Sequence, residues 1–262
     1  MYFWMSTPLL AVVLVVIVGG TAAVGLLVGR RIRSRAETNR EPVGVAQGAL
    51  LGLVGLLLAF GLTMAVGRYE TRRGLVVEEA NAIGTTHLRA QLLTEPARST
   101  SLTLLEQYAD AAIELARHVP DDEQFRAADQ HMAALQRDLW AAAGDALQAD
   151  PVGTAPRLYV ETLNDMIDRH SDRDASLRNR VPTSVMVLEV VGSAAALGVL
   201  ALYLALLGRG VATSLLAVVV VILILFVSFD LDRPARGFIT VPDMPLVEVR
   251  ESMDLPPAFP GP

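Results

Sequence analysis

The 262-residue sequence contains no cysteine and no lysine. The missing cysteines exclude disulfides, thiolate chemistry and cysteine metal sites. They leave the redox compartment open, because a cytoplasmic and an exported face can both do without them. All 22 basic residues are arginine, a usage that fits a GC-rich genome more than a physical demand. Catalytic signatures are missing too. The four histidines, His87, His118, His131 and His170, are far apart in the chain, and none belongs to HExxH or another zinc spacing. GxSxG does not occur. The glycine clusters lie inside apolar runs, where close helix packing explains them better than a phosphate cradle. The sequence therefore points away from an enzyme, and no cofactor or metal is expected.

What the sequence does have is four long apolar runs, Pro8 to Gly29, Gly44 to Gly67, Val185 to Leu207 and Val211 to Ser228. Each is close to the ~20 residues a helix needs to cross ~30 Å of hydrocarbon. A soluble fold has little use for four such segments, because surface helices need a polar face. Hydrophobic residues make up 52% of the chain, mean hydropathy is +0.43, and the charge lies away from the runs. The first run follows seven uncharged residues and so lacks the basic segment of a cleaved signal peptide. It ends in Arg30, Arg31, Arg33 and Arg35, a stop-transfer pattern, and Tyr2, Phe3 and Trp4 precede it as interfacial anchors. The expectation is an all-α, multi-pass protein of the cell membrane with the lipid bilayer as its solvent.

Five segments follow from the pattern. Residues 1–43 hold the first span and an arginine-rich loop, 44–67 the second span, 68–180 a helical insert, 181–229 the third and fourth spans, and 230–262 a tail that reads as disordered from about 252. The insert carries 19 acidic and 13 basic residues. Such an acidic domain repels nucleic acid and anionic lipid, so neither is expected as its ligand. Orientation signals conflict. Five arginines in the loop from Arg30 to Glu41, with Arg209, favour an outward insert if the first helix dominates. Nine arginines, Arg68, Arg72, Arg73, Arg169, Arg173, Arg178, Arg180, Arg233 and Arg236, argue the opposite.

The insert reads as three or four helices without strands. The stretch to Leu93 continues the second span, with bends expected at Gly67 and Gly74, and ends at Glu95 and Pro96. Ser99 or Ser101 caps the next helix, to about His118. Pro120, Asp121 and Asp122 restart the chain. Phe125, Ala128, Met132, Leu135, Leu139, Ala142 and Ala146 then alternate at spacings of three and four, a narrow seam for helix packing. In the second span, Gly44, Gly48 and Gly52 form a GxxxGxxxG stripe, which packs helices within one protomer or forms a subunit interface. The latter makes the protein a homo-oligomer.

Few residues could carry function. Glu189 lies inside the third span if that span starts at Val185 and at its edge if it starts at Val190; an ionisable group within a span usually faces a cavity or a partner. Glu78, Glu79 and Asn81, near Arg72 and Arg73, form either a solvated ion-pair network worth little or a ring of charge at a pore mouth. Asp230, Asp232, Arg233 and Arg236 crowd the end of the fourth span.

The stretch from Gly55 to Leu93, with Glu79, Ala80, Asn81, Ala82, Leu88 and Arg89, resembles the bestrophin-like family of bacterial membrane proteins. The tail resembles the family's second signature at Leu231, Asp232, Arg233, Pro234, Gly237, Val241, Pro242 and Pro245; Ala235 departs from it, where the family has a larger residue. The resemblance spans about residues 44 to 250. It implies the layout of bestrophin anion channels: pentamers with two spans, a cytoplasmic helical insert and two spans, whose second helix lines the pore. Here that helix offers Phe60 as its only aromatic, amid Leu56, Leu57 and Leu58. Two functions follow as expectations. One is an ion-conducting, plausibly anion-conducting, channel, with Arg68, Arg72 and Arg73 concentrating anions. The other is a non-conducting scaffold or sensor that binds a protein partner through the Phe125–Ala146 seam.

Overall fold

The computed structural model describes residues 5–33, 40–118, 122–208, 211–233 and 237–259, without the side chains of residues 40 and 41, and all regular structure within them is helical. Tyr2, Phe3, Trp4, Arg35, Pro120, Asp121, Arg209, Pro234, Ala235 and Arg236 lie outside the described residues. Helix α1 (Thr7–Leu14) starts with proline in its first turn, where a missing N–H is harmless. A π-helical turn, Val15–Gly19, leads into α2 (Gly20–Ile32). Helix α3 (Arg40–Ala90) runs 51 residues without interruption. Gly67 and Gly74, where bends are expected, do not interrupt it. It closes at Ala90, before Glu95, with Leu92 and Leu93 donating to the carbonyls of Arg89 and Ala90.

Helices α4 (Ala97–Arg117), α5 (Glu123–Ala149) and α6 (Thr154–Arg178) follow. Neither Ser99 nor Ser101 caps α4. Glu95 does so by accepting the Ser99 N–H at 3.2 Å, while Ser101 is buried. Asp122 caps α5, accepting the Phe125 N–H at 2.6 Å. Helices α7 (Thr183–Leu206), α8 (Val211–Leu231) and α9 (Met244–Met253) complete the order.

The chain forms two compact units. The first comprises residues 1–68 and 180–239. Among the described residues, four helical stretches are long and apolar enough to cross a membrane, within Thr7–Ile32, Pro42–Ala90, Thr154–Leu206 and Val211–Leu231. Only 22% of the apolar window is buried in three of them and 39% in the other. The chain does not cover that surface itself, which leaves it to lipid or to other copies. Within the unit, α2 and α7 approach most closely. A methyl group at Gly25 would collide with the Gly198 carbonyl, and one at Gly29 would lie 2.6 Å from the Leu202 carbonyl oxygen. The expected stripe on α3 behaves differently. Gly44 faces the Tyr203 ring, but nothing lies within 4 Å of a Cβ built at Gly48 or Gly52. Close packing inside the chain thus belongs to Gly25, Gly29 and Gly44, not to Gly48 or Gly52.

The second unit comprises residues 69–179 and 240–262. Every residue of the α5 seam is buried. Most of the seam joins one core with Leu105 and Tyr108 of α4, Leu163 and Met166 of α6, Ile83 of α3 and Leu246 of α9. A docking strip for a partner is therefore not available there; the seam is satisfied within the unit. Helix α9 is tied to α4 by Arg250 and Asp110 at 2.9 Å, and Arg117 reaches Asp243 at 2.9 Å. Past α9, the Phe259 N–H donates to Gln91 and its carbonyl accepts from Arg98. The tail expected to be disordered from about 252 is placed through Phe259.

Candidate functional site

The buried face of α3 beyond the second apolar run reads Val76, Glu79, Ala80, Ile83, Thr86 and Ala90. The three-and-four spacing is ordinary for a helix packed on a core, except that Glu79 is a carboxylate with 0% exposure. A charge in that position requires partners. Helix α6 supplies them from two residues three apart, which share a face. His170 Nδ1 lies 2.9 Å from Glu79 Oε1, and Arg173 Nη1 donates to Glu79 Oε2. Burial pushes the Glu79 carboxyl up, but the Arg173 guanidinium and the His170 ring outweigh it and hold the group below the ordinary carboxylate range. An ionised carboxylate only accepts, so the His170 Nδ1 proton points at Glu79. The Tyr108 ring meets His170 edge-on, with centroids 6.3 Å apart. Burial first, and Glu79 second, push the Tyr108 hydroxyl well above its usual range. Its oxygen accepts from Gln136 at 3.3 Å.

Around this cluster the other expected residues separate. Ala80 is buried beside Glu79. Arg72 is buried as well, donating to the carbonyls of Ser176 at 3.3 Å and Asn179 at 2.9 Å. It caps the C-terminus of α6, where a cation also meets the helix dipole; it is not a cation facing solvent. Arg73 is exposed and 3.7 Å from Glu70; Arg68 is half-buried. Glu78 pairs with Arg169 at 2.8 Å on the surface, and Asn81 is exposed and lines a small polar cleft with both. Arg89 donates to the Leu158 carbonyl at 2.8 Å, joining α3 to α6. His87 sits further along α3, where burial and then Arg250 lower its pKa. Among the described residues, no group of three or more histidines and carboxylates is set to hold a metal.

In the first unit, Glu189 lies inside α7, two turns from its start, and is 4% exposed. Its carboxylate packs on α3 at Gly61, where any Cβ would collide with it. Among the described residues, Glu189 Oε1 has no hydrogen-bond partner, and neither does Ser193 Oγ one turn further along α7. Phe60, one residue before Gly61, points away and is 61% exposed.

The end of α8 explains the second signature. Asp230 accepts the N–H groups of Phe238 and Ile239 at 2.8 and 2.9 Å. Gly237 adopts φ +134° against that carboxylate, a backbone state and a closeness only glycine tolerates. Asp232 accepts the Val181 N–H at 3.1 Å, and buried Arg233 donates to the Met5 carbonyl. The chain end before α1, the start of α7 and the end of α8 meet through these residues. Pro242 is exposed, and Pro245 occupies the first turn of α9; Pro234 is outside the described residues.

Sequence reasoning did not single out His170, Tyr108 or Gly198. The i, i+3 pair His170 and Arg173 was a usable signal for the first; nothing local marks the other two.

The comparisons with known proteins agree with this layout. The Bestrophin-like domain matches residues 11–246. The fold is similar to a variant of a bacterial bestrophin homolog from Klebsiella pneumoniae at 13% identity and TM-score 0.64, covering 90% of this chain and 97% of that one. A second structure of a homolog from that organism gives 14% identity and TM-score 0.60, with coverages of 89% and 96%. No curated protein matches the sequence.

Proposed function

This chain belongs to the bestrophin-like family, and on that premise we propose that it assembles as a homo-oligomer into an anion-conducting pore of the cell membrane, each subunit crossing four times. The observation that carries the reading is the uncovered face of α3. Gly48, Gly52, Leu56 and Phe60 recur every four residues, and all are exposed within the chain. A helix that leaves such a face open offers it to other copies or to an axis they enclose. Leu56 and Phe60 from several copies would form an apolar constriction that gates by dewetting. Arg68 and exposed Arg73 follow on the same helix and would raise the local anion concentration. Arg72 is left out of that role by its burial, and Glu78 by its pairing with Arg169.

Purified full-length protein in a planar bilayer should carry current whose reversal potential follows a chloride gradient. Phe60→Ala should raise conductance, and Arg68→Gln with Arg73→Gln should weaken anion preference. Silence across voltage, pH and calcium refutes the proposal.

A further inference from the structure

Beside the Gly25–Gly198 contact, the first span and α7 leave an apolar groove of about 630 Å³. Gly20 lies on the first-span side of this groove and is itself exposed, and a Cβ built there would meet nothing within 4 Å. Helix packing therefore does not require glycine at that position; its absent side chain leaves the groove open there. Val24 and Leu202 stand as walls. The one polar side chain of the lining on the first span, Thr21, already donates to the carbonyls of Ile17 and Val18. An occupant with hydrogen-bonding groups gains nothing here.

Length and charge narrow the occupant. From Ile17 to Val28 the groove follows eleven residues of helix, about 17 Å, which matches one leaflet of a bilayer whose hydrocarbon is ~30 Å thick. Ile17 lies in the π-helical turn near the middle of the span. Val28 lies near its end, and Arg31 follows three residues later on the same helix face, with Arg30 adjacent. Both arginines are exposed, and no acidic residue occurs before Glu37. An open apolar groove one leaflet long that ends within one helical turn of two arginines fits a tail joined to an anion.

We infer that this groove binds an anionic phospholipid, one acyl chain lying between the first span and α7 and the phosphate held by Arg31 and Arg30. The site is independent of whether the protein conducts.

Native mass spectrometry of the delipidated full-length protein, titrated with phosphatidylglycerol and with phosphatidylcholine of the same chains, tests it. Wild type should retain phosphatidylglycerol more tightly, by about fivefold per arginine engaged, and excess inorganic phosphate should not displace it. Arg31→Gln should reduce phosphatidylglycerol retention toward that of phosphatidylcholine and leave the latter unchanged. Gly20→Leu fills open space, so circular dichroism should stay native while both lipids are lost. Ala195→Leu, exposed on the facing wall, repeats the test from α7 should the first variant misfold. Equal retention of the two lipids by wild type, displacement by phosphate alone, or unchanged binding in both groove variants overturns the site. So does dissociation of a lipid-free oligomer by Gly20→Leu, which would assign the groove to a helix of a second copy.

Discussion

At Glu79 a carboxylate with no exposure is matched by Arg173 and His170 from another helix. Removing one member of a buried pair leaves the other charge uncompensated, which costs about 3–5 kcal/mol. Glu79→Gln should therefore lower the thermal stability of the second unit strongly, read through Trp140 fluorescence on α5. The sign of the pH dependence follows from the direction of the shift. The folded Glu79 carboxyl ionises below its unfolded value, so its contribution is full above about pH 4.5 and is lost as the pH falls through the folded pKa. Wild type should lose stability on acidification through that window, and Glu79→Gln should lose less. In the first unit, Gly61 and Glu189 are complementary in shape. Gly61→Leu should destabilise by about 1–3 kcal/mol, and Glu189→Ala should relieve much of that. Additive effects in the double variant would show that the two do not interact.

Among the elements, α5 shows how local chemistry sets a boundary. Asp122→Ala removes the side-chain acceptor for the Phe125 N–H and should cost about 1 kcal/mol in a denaturant melt. Helix α3 was harder to read. Gly67 and Gly74 suggested bends because isolated glycine costs ~1 kcal/mol in a helix, but propensity is a weak prior. The buried stripe from Val76 to Ala90 outweighs it, and the helix continues past both glycines without interruption. The seven-residue seam of α5 was legible because three-and-four spacing leaves few alternatives. Its partners were not, since Leu105, Tyr108 and Met166 lie on other helices.

For the whole molecule, the uncovered α3 face is the feature that a single chain leaves unexplained. Gly48→Leu with Gly52→Leu meets only open space within the protomer, so helicity should be unchanged while chemical crosslinking shows lost assembly. An unaltered oligomer would place the subunit interface elsewhere. Gly25→Val is the contrasting variant: it drives a side chain into the Gly198 carbonyl and should unfold the first unit before assembly is reached.

The sequence by itself determined the fold class, the four apolar spans and the family. Each rests on properties that accumulate along the chain: runs near 20 residues, helical spacing, and two signatures with their residues in order. Only the tertiary structure decided which charges are silent and which are free to act. Arg72, Arg73, Glu78 and Glu79 look alike within one short stretch, yet one caps a helix, two make surface pairs and one is buried on a cluster from α6. For Arg72, Glu78 and Glu79 the partners lie about a hundred positions away, and no local pattern encodes a distance between helices.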